Sequence, residues 1–239
     1  KGMLRDILPI AAIAFPAILT QLATPVGQAI VTRSMAQFGE AAVAGMAIVG
    51  RLSPVAFGVI FALSGAVGPI LGQNFGAQHH DRVQRGFNAA ILFTGIVIVL
   101  VSTVLFVLRA HIAALFDATG VTRDLVYLFC GPLSLLFFFN GMLFVSNAAF
   151  NNLGHPFYST FINWGRNTVG MIPLVLLGAG MIGAPGVLIG QATAGVIFGA
   201  VAWLLARRVM AQGVLGTTRV QPSEFGRQGR LMALLDLRR

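Results

Sequence analysis

Apolar residues in this chain run in six long stretches separated by short polar breaks, rather than alternating with polar ones. Crossing about 30 Å of hydrocarbon takes roughly 20 helical residues at about 1.5 Å each, and every stretch meets that length. The predicted spans are Ile7–Thr32, Ala41–Leu71, Phe87–Leu108, Leu125–Phe150, Phe157–Ala179 and Pro185–Ala206. The apolar runs are continuous, which excludes barrel strands, whose residues alternate between lipid and lumen. Turn formers and most charges fall in the breaks, at Arg33–Glu40, Gly72–Gly86, Arg109–Asp124, Asn151–Pro156 and Gly180–Ala184. The pattern predicts an all-α polytopic membrane protein. Residues 1–206 form one six-helix transmembrane lobe and residues 207–239 a basic tail.

Composition supports this from another direction. Of 239 residues, 56% are hydrophobic and 10% charged, against about 25% charged in an average soluble domain. The 23 ionisable Asp, Glu, Lys and Arg side chains are too few to clothe a soluble sphere of this size. The formal net charge of +9 is concentrated at one end, since Arg207–Arg239 holds seven arginines against Glu224 and Asp236. A basic tail facing anionic lipid accounts for that end, and no basic patch interleaved with aromatics points to nucleic acid. Sidedness follows from the arginines and lysines of the loops. With a cytoplasmic amino terminus, the inside collects Lys1, Arg5, Arg82, Arg85 and the tail arginines, and the outside only Arg33, Arg109 and Arg123. Both termini are therefore expected in the cytoplasm. The first apolar run is too long for a signal peptide, and the Lys-Gly-Met start reads as an excerpt of something longer. Cys130, the single cysteine, lies in an apolar run and cannot form a disulfide within the chain.

Polar side chains inside a span need a partner or an aqueous cavity. The first span holds Gln21, Thr24, Gln28 and Thr32 at i, i+3, i+7 and i+11, one helical face. The fourth carries Asn140, Asn147 and Asn151 at i, i+7 and i+11, and the fifth carries Asn163, Arg166 and Asn167 within about a turn. Arg51 and Gln191 lie in the second and sixth spans. Two readings account for these residues: interhelical hydrogen bonds that tie helices together, or a shared polar cavity. Arg51 and Arg166 are read either as snorkelling to a rim or as substrate contacts. Of the run Phe137, Phe138 and Phe139, at least one ring is expected to face lipid.

Pro9, Pro16 and Pro25 in the first span, and Pro54, Pro132 and Pro173 in others, each remove a backbone donor and favour a kink. Such helices are tolerated where neighbours or water satisfy the freed carbonyls, a pattern of transporters that bend or rock. Gly58, Gly65, Gly68 and Gly72 allow close contact along the second span. The sequence holds no phosphate-binding GxxxxGK loop, no His/Cys metal cluster and no Ser/His/Asp set, and so nothing that points to an enzyme, a metal or a cofactor. His79, His80 and Asp81 are adjacent in a loop and are not read as a metal site. Asp6, Glu40, Asp81, Asp117 and Asp124 fall at helix ends or in loops, which leaves the spans without a proton- or sodium-coupling carboxylate.

The segment GAVGPILGQNFGAQHHDRVQRG, Gly65–Gly86, resembles the loop after the second helix of a lobe in the multidrug and toxic compound extrusion (MATE) family. FGEAAVAGMAIVGRL, Phe38–Leu52, is similar to that family's entry to the same helix, and AAFNNLGHPFYSTFINWGR, Ala148–Arg166, to its link between fourth and fifth helices. Gly183–Gly186 matches the glycine-rich entry to the sixth. The resemblance covers about residues 5–210 and favours the carboxy-terminal lobe of a twelve-helix, two-lobe transporter. It implies a secondary efflux antiporter in the bacterial inner (plasma) membrane that exports cationic or amphipathic drugs in exchange for H+ or Na+. Gln21, Thr24, Gln28, Asn140, Asn147, Asn163 and Asn167 are the expected substrate-binding residues, with membrane lipid around the lobe and an amino-terminal lobe, or a second copy, beside it. Some family members carry a carboxylate in the first helix of this lobe, where this chain has Gln21, Thr24, Pro25 and Gln28, so the coupling carboxylate is expected elsewhere. Alternatives are a lipid-linked saccharide flippase of the same superfamily, which interior cations would favour, and a non-transporting membrane anchor or assembly subunit.

Overall fold

A computed structural model of the chain describes residue 18 and residues 22–211, together with the helical backbone of 212–215. Most of the first predicted span, including Pro9, Pro16 and Gln21, and the tail beyond 215 lie outside the described residues. Among the described residues six helices follow one another: α1 (22–36), α2 (Glu40–Gly76), α3 (His80–Leu115), α4 (Gly120–Asn152), α5 (Pro156–Ile182) and α6 (Ala184–Leu215). Among the described residues, α2 to α6 are the helices long and apolar enough to cross a membrane.

The helices run beyond the predicted breaks. The Gly72–Gly86 break is a turn of Ala77, Gln78 and His79, with helix on both sides, and the Arg109–Asp124 break is a turn of residues 116–119. The reason is physical: hydropathy follows the thickness of the hydrocarbon, whereas a helix can continue into water with its hydrogen-bond ladder intact. The 37 residues of α2 make about 55 Å of helix, well over the roughly 30 Å of a bilayer core. Likewise α6 continues past Ala206 through Arg207 and Arg208 to Leu215.

Short connections make chain neighbours antiparallel. The tightest is Gly183 between α5 and α6, with φ 74° and ψ −143°, a conformation open to glycine and strained for other residues. Its N–H donates to the Ala179 carbonyl at 3.0 Å, ending α5, and its carbonyl accepts from the Gly186 N–H at 3.0 Å, starting α6. A one-residue hinge forces the two helices together at once, and the sequence supplies the room. A side chain at Gly178 or Gly186 would strike the other's backbone, and one at Gly190 would strike Leu174 and Val175. Farther along α6, Gly195 lies against Asn140 and Gly199 against Phe139, so α6 packs on α4 as well.

Three of the prolines lie at or near breaks in regular helix. Three residues after Pro54, Phe57 leaves helical geometry at φ −109°, ψ 16°. Pro132 lies in a π-helical segment, Phe129–Leu133, with Gly131 at φ −96°, ψ −115°. A second π-helical segment, Gly165–Gly170, ends three residues before Pro173. The wider turns accommodate the proline ring and the hydrogen bond it cannot donate.

Burial is arranged for lipid. One core cluster includes Val31, Phe57, Leu125, Phe129 and Val187, and a second includes Leu71, Phe87, Leu143, Phe150 and Ala202. Outside, Leu92, Leu100, Val107, Phe161 and Leu177 are exposed, the arrangement of a surface solvated by hydrocarbon. Arg109 lies over the Phe106 ring at 4.1 Å and the Tyr127 ring at 5.3 Å, Arg123 over Tyr127 at 4.9 Å, and Arg207 over Trp203 at 4.9 Å. These cation–aromatic pairs are the amphipathic anchors favoured where helices leave hydrocarbon.

Candidate functional site

A polar pocket of about 290 Å³ opens between α2 and α4. From α4 it takes Phe144, Asn147, Ala148 and Asn151 at i, i+3, i+4 and i+7, one helical face, together with Asn152. From α2 it takes Ser64, Gly65, Gly68 and Pro69. The glycines explain the fit. A side chain at Gly68 would come within 2.7 Å of Asn152 Nδ2, and one at Gly72 within 3.2 Å of Asn152 Oδ1. Gly58 and Gly65, by contrast, face open space.

Hydrogen bonding in the pocket is lopsided. Asn152 Nδ2 donates to the Ala148 carbonyl and Ser64 Oγ to the Phe61 carbonyl, both at 2.8 Å. Asn147 Oδ1 is buried and has no partner. A buried acceptor left unpaired costs about 1–3 kcal/mol. No lining residue carries a formal charge.

Phe144 joins the pocket to an aromatic wall. Phe57 and Phe137 stack at 4.0 Å with 8° between ring planes, and Phe61 meets Phe144 at 5.2 Å and Phe137 at 6.1 Å. Phe61 remains 42% exposed, so a π face is available beside the amides. All three rings of the Phe137–Phe139 run are half-buried rather than turned fully to lipid.

The other sequence-predicted residues are spread over the lobe. Gln21 lies outside the described residues. Thr24 and Gln28 are exposed on α1, while Gly27 beside them packs on Asn167, whose backbone oxygen a side chain at Gly27 would meet at 2.9 Å. Asn167 is buried and its Nδ2 donates to the Asn163 carbonyl at 2.9 Å; Asn163 Nδ2 donates to the Ser159 carbonyl at 2.8 Å. Asn140 is buried against Gly195 of α6 with Oδ1 unpaired. Of the seven, Asn147 lines the α2–α4 pocket; Asn140 sits at the α4–α6 contact, and Asn163 and Asn167 lie on α5. Arg51 is exposed on α2, and Arg166 is half-buried near mid-length of α5. Ser64 and Asn152 were not expected in the pocket. Their trace in the sequence was the Gly68/Gly72 pair, which announces a close approach without naming what approaches.

The MatE family matches residues 16–177 of this chain. An uncharacterized 21 kDa protein of Pseudomonas savastanoi is 36% identical over 200 residues, covering 80% of this chain and 63% of that protein. A FAD transporter of Shewanella oneidensis is 27% identical over 204 residues, covering 84% of this chain and 44% of that protein. Among solved structures, the Vibrio cholerae MATE transporter VcmN in the bent form superposes with a TM-score of 0.81 at 24% identity, over 88% of this chain and 48% of that one. An inward-facing multidrug resistance MATE family transporter gives a TM-score of 0.76 at 17% identity, over 90% and 50%. The chain thus spans less than two thirds of each curated relative and about half of each of these structures.

Proposed function

The chain belongs to the MatE family, and on that premise we propose that it forms the carboxy-terminal lobe of a secondary efflux antiporter that exports cationic or amphipathic compounds across the bacterial inner membrane, with both termini in the cytoplasm. The substrate sits in a cleft between this lobe and a second one. One observation carries the reading: Asn147, whose buried Oδ1 is unpaired, lines a pocket that adjoins the exposed Phe61 ring. An amide oxygen accepts a hydrogen bond from an ammonium or hydroxyl, and the aromatic face attracts the cation. The kinked stretches at Pro54–Phe57, Phe129–Leu133 and Gly165–Gly170 let α2, α4 and α5 bend as access alternates. The coupling ion, H+ or Na+, binds a carboxylate outside the spans of this chain.

Ethidium efflux from cells stripped of their major pumps tests this in the full-length background. Asn147→Ala and Asn147→Leu, at surface levels equal to the parent, should slow efflux about 3- to 10-fold, the worth of one hydrogen bond. Unchanged efflux in both variants overturns the reading. The similarity to the Shewanella FAD transporter supports a second cargo, a flavin nucleotide whose ring system would stack on Phe61 and Phe144. Flavin accumulating outside cells while ethidium is retained would select it.

A further inference from the structure

On the outer side of the lobe, away from the α2–α4 pocket, α3 and α4 frame a groove of about 820 Å³. Its lining includes Asn88, Leu92 and Gly95 on α3, and Phe138 on α4. Gly95 forms the floor, since a side chain there would extend over the Phe138 ring from 3.4 Å. From Asn88 to Leu100 the α3 side of the groove measures about 18 Å at about 1.5 Å per residue. One leaflet contributes about 15 Å of hydrocarbon, so the groove has the length of an acyl chain.

Polarity along α3 is ordered. Arg85 shares a face with Leu92 and Ile96, at i+7 and i+11, and is exposed together with Asp81, a turn farther out. A polar depression of about 420 Å³ at this end is lined by Gln78, His79, His80, Asp81, Arg82 and Arg85. Moving outward, the helix presents an apolar trough, an amide at Asn88, a guanidinium at Arg85 and a carboxylate at Asp81. A phospholipid with a primary ammonium headgroup has the complementary series: acyl chain, ester carbonyl, phosphate, ammonium. We infer that this groove holds one such lipid, with an acyl chain over Gly95 and Phe138, an ester carbonyl at Asn88, the phosphate at Arg85 and the ammonium at Asp81. Quaternary choline has no N–H to donate to Asp81. A glycerol headgroup has no ammonium to donate to that carboxylate.

Native mass spectrometry of the purified full chain, mixed with equal amounts of phosphatidylethanolamine, phosphatidylcholine and phosphatidylglycerol of matched acyl chains, tests the assignment. The parent should retain phosphatidylethanolamine about two- to fivefold over the other two, the worth of one exposed charge pair. Asp81→Asn should abolish the preference over phosphatidylcholine, Arg85→Gln should lower retention of all three, and Gly95→Leu should lower retention while keeping the order. Free phosphoethanolamine at the same concentration should not compete. Folding of each variant is checked by elution volume and by protection of Cys130 from thiol dye. Equal retention of phosphatidylcholine by the parent, full retention by folded Gly95→Leu, or displacement by free phosphoethanolamine overturns the proposal.

Discussion

Replacing Gly186 with alanine tests the closest approach of α5 and α6. A methyl group built at this position falls on the Gly178 carbonyl, far inside the ordinary contact range of 3.4–4 Å. Because the obstacle is backbone, no side-chain rotation relieves it, and the helices have to part by roughly 1 Å. A gap of that size forfeits about a quarter to a half of each atom-pair attraction of about 0.1–0.2 kcal/mol. With roughly 40 pairs across the crossing, comparable to one buried leucine, the loss is about 2 kcal/mol, within the range of an overpacked core. Lipid offers no hydrophobic gain to offset it, since helix association in a bilayer depends on packing. Gly58→Ala is the matched control, because a side chain there meets nothing within 4 Å. The chain supplies its own reporter: Cys130 is its only cysteine and is fully buried, so a thiol-reactive fluorophore reads unfolding without background. In detergent, Gly186→Ala should melt roughly 4–8 °C below the parent and Gly58→Ala within a degree or two of it. If Gly186→Ala melts with the parent, or Gly58→Ala falls as far, the crossing is not what holds the two helices.

Phe57→Ala removes a fully buried ring stacked on Phe137 at 4.0 Å and set edge-on to Phe129 at 6.3 Å. It should destabilise the lobe by about 3–5 kcal/mol, seen as lost monodisperse protein, and Phe57→Leu should restore most of the yield. Thr122→Val keeps the shape but deletes the 2.7 Å hydrogen bond from Thr122 Oγ1 to the Ala41 carbonyl, which joins the first turns of α4 and α2. About 1 kcal/mol should be lost, so thiol-dye melting should place this variant between the parent and Gly186→Ala. Asn152→Leu sets a branched side chain against Gly68 and Gly72, where the flat amide now lies. Its melting temperature should fall, while Asn152→Ala, which removes bulk instead, should fall less.

How far the sequence disclosed the fold depends on which physical quantity a residue reports. Apolar runs report hydrocarbon thickness, so they located the cores of α2 to α6 and not their ends. Arg82 and Arg85 close an apolar run at Phe87, yet α3 begins at His80 because arginines are good helix residues in water. Glycines report proximity without identity: Gly186 and Gly190 are legible as a smooth face, but their seating on Gly178 and Leu174 depends on the one-residue hinge at Gly183. Spacing reports a face and not the neighbour it meets. Asn140 and Asn147 share one face of α4, yet the first packs on α6 and the second lines a pocket with α2, because a helix enclosed by three others changes neighbours along its length.

The same limit explains why the site was the harder part to read. A cleft is a relation between helices, and its polar members need not lie on one stripe: Ser64 and Asn152 come from different helices and entered the pocket through packing of small residues. What the amides do settle is a constraint on the surroundings. Thr24 and Gln28 are exposed within an apolar stretch, and Asn151 and Asn152 are exposed at the α2–α4 pocket. Hydrocarbon cannot hydrogen-bond to any of them, and each group left unsatisfied there costs several kcal/mol. Exposed apolar residues such as Leu92 and Leu100 carry no such demand and are at home in lipid. These two polar surfaces, on α1 and at the α2–α4 pocket, therefore call for water or a polar partner opposite them, which is the physical ground for proposing the substrate site there and not on the apolar side of the lobe.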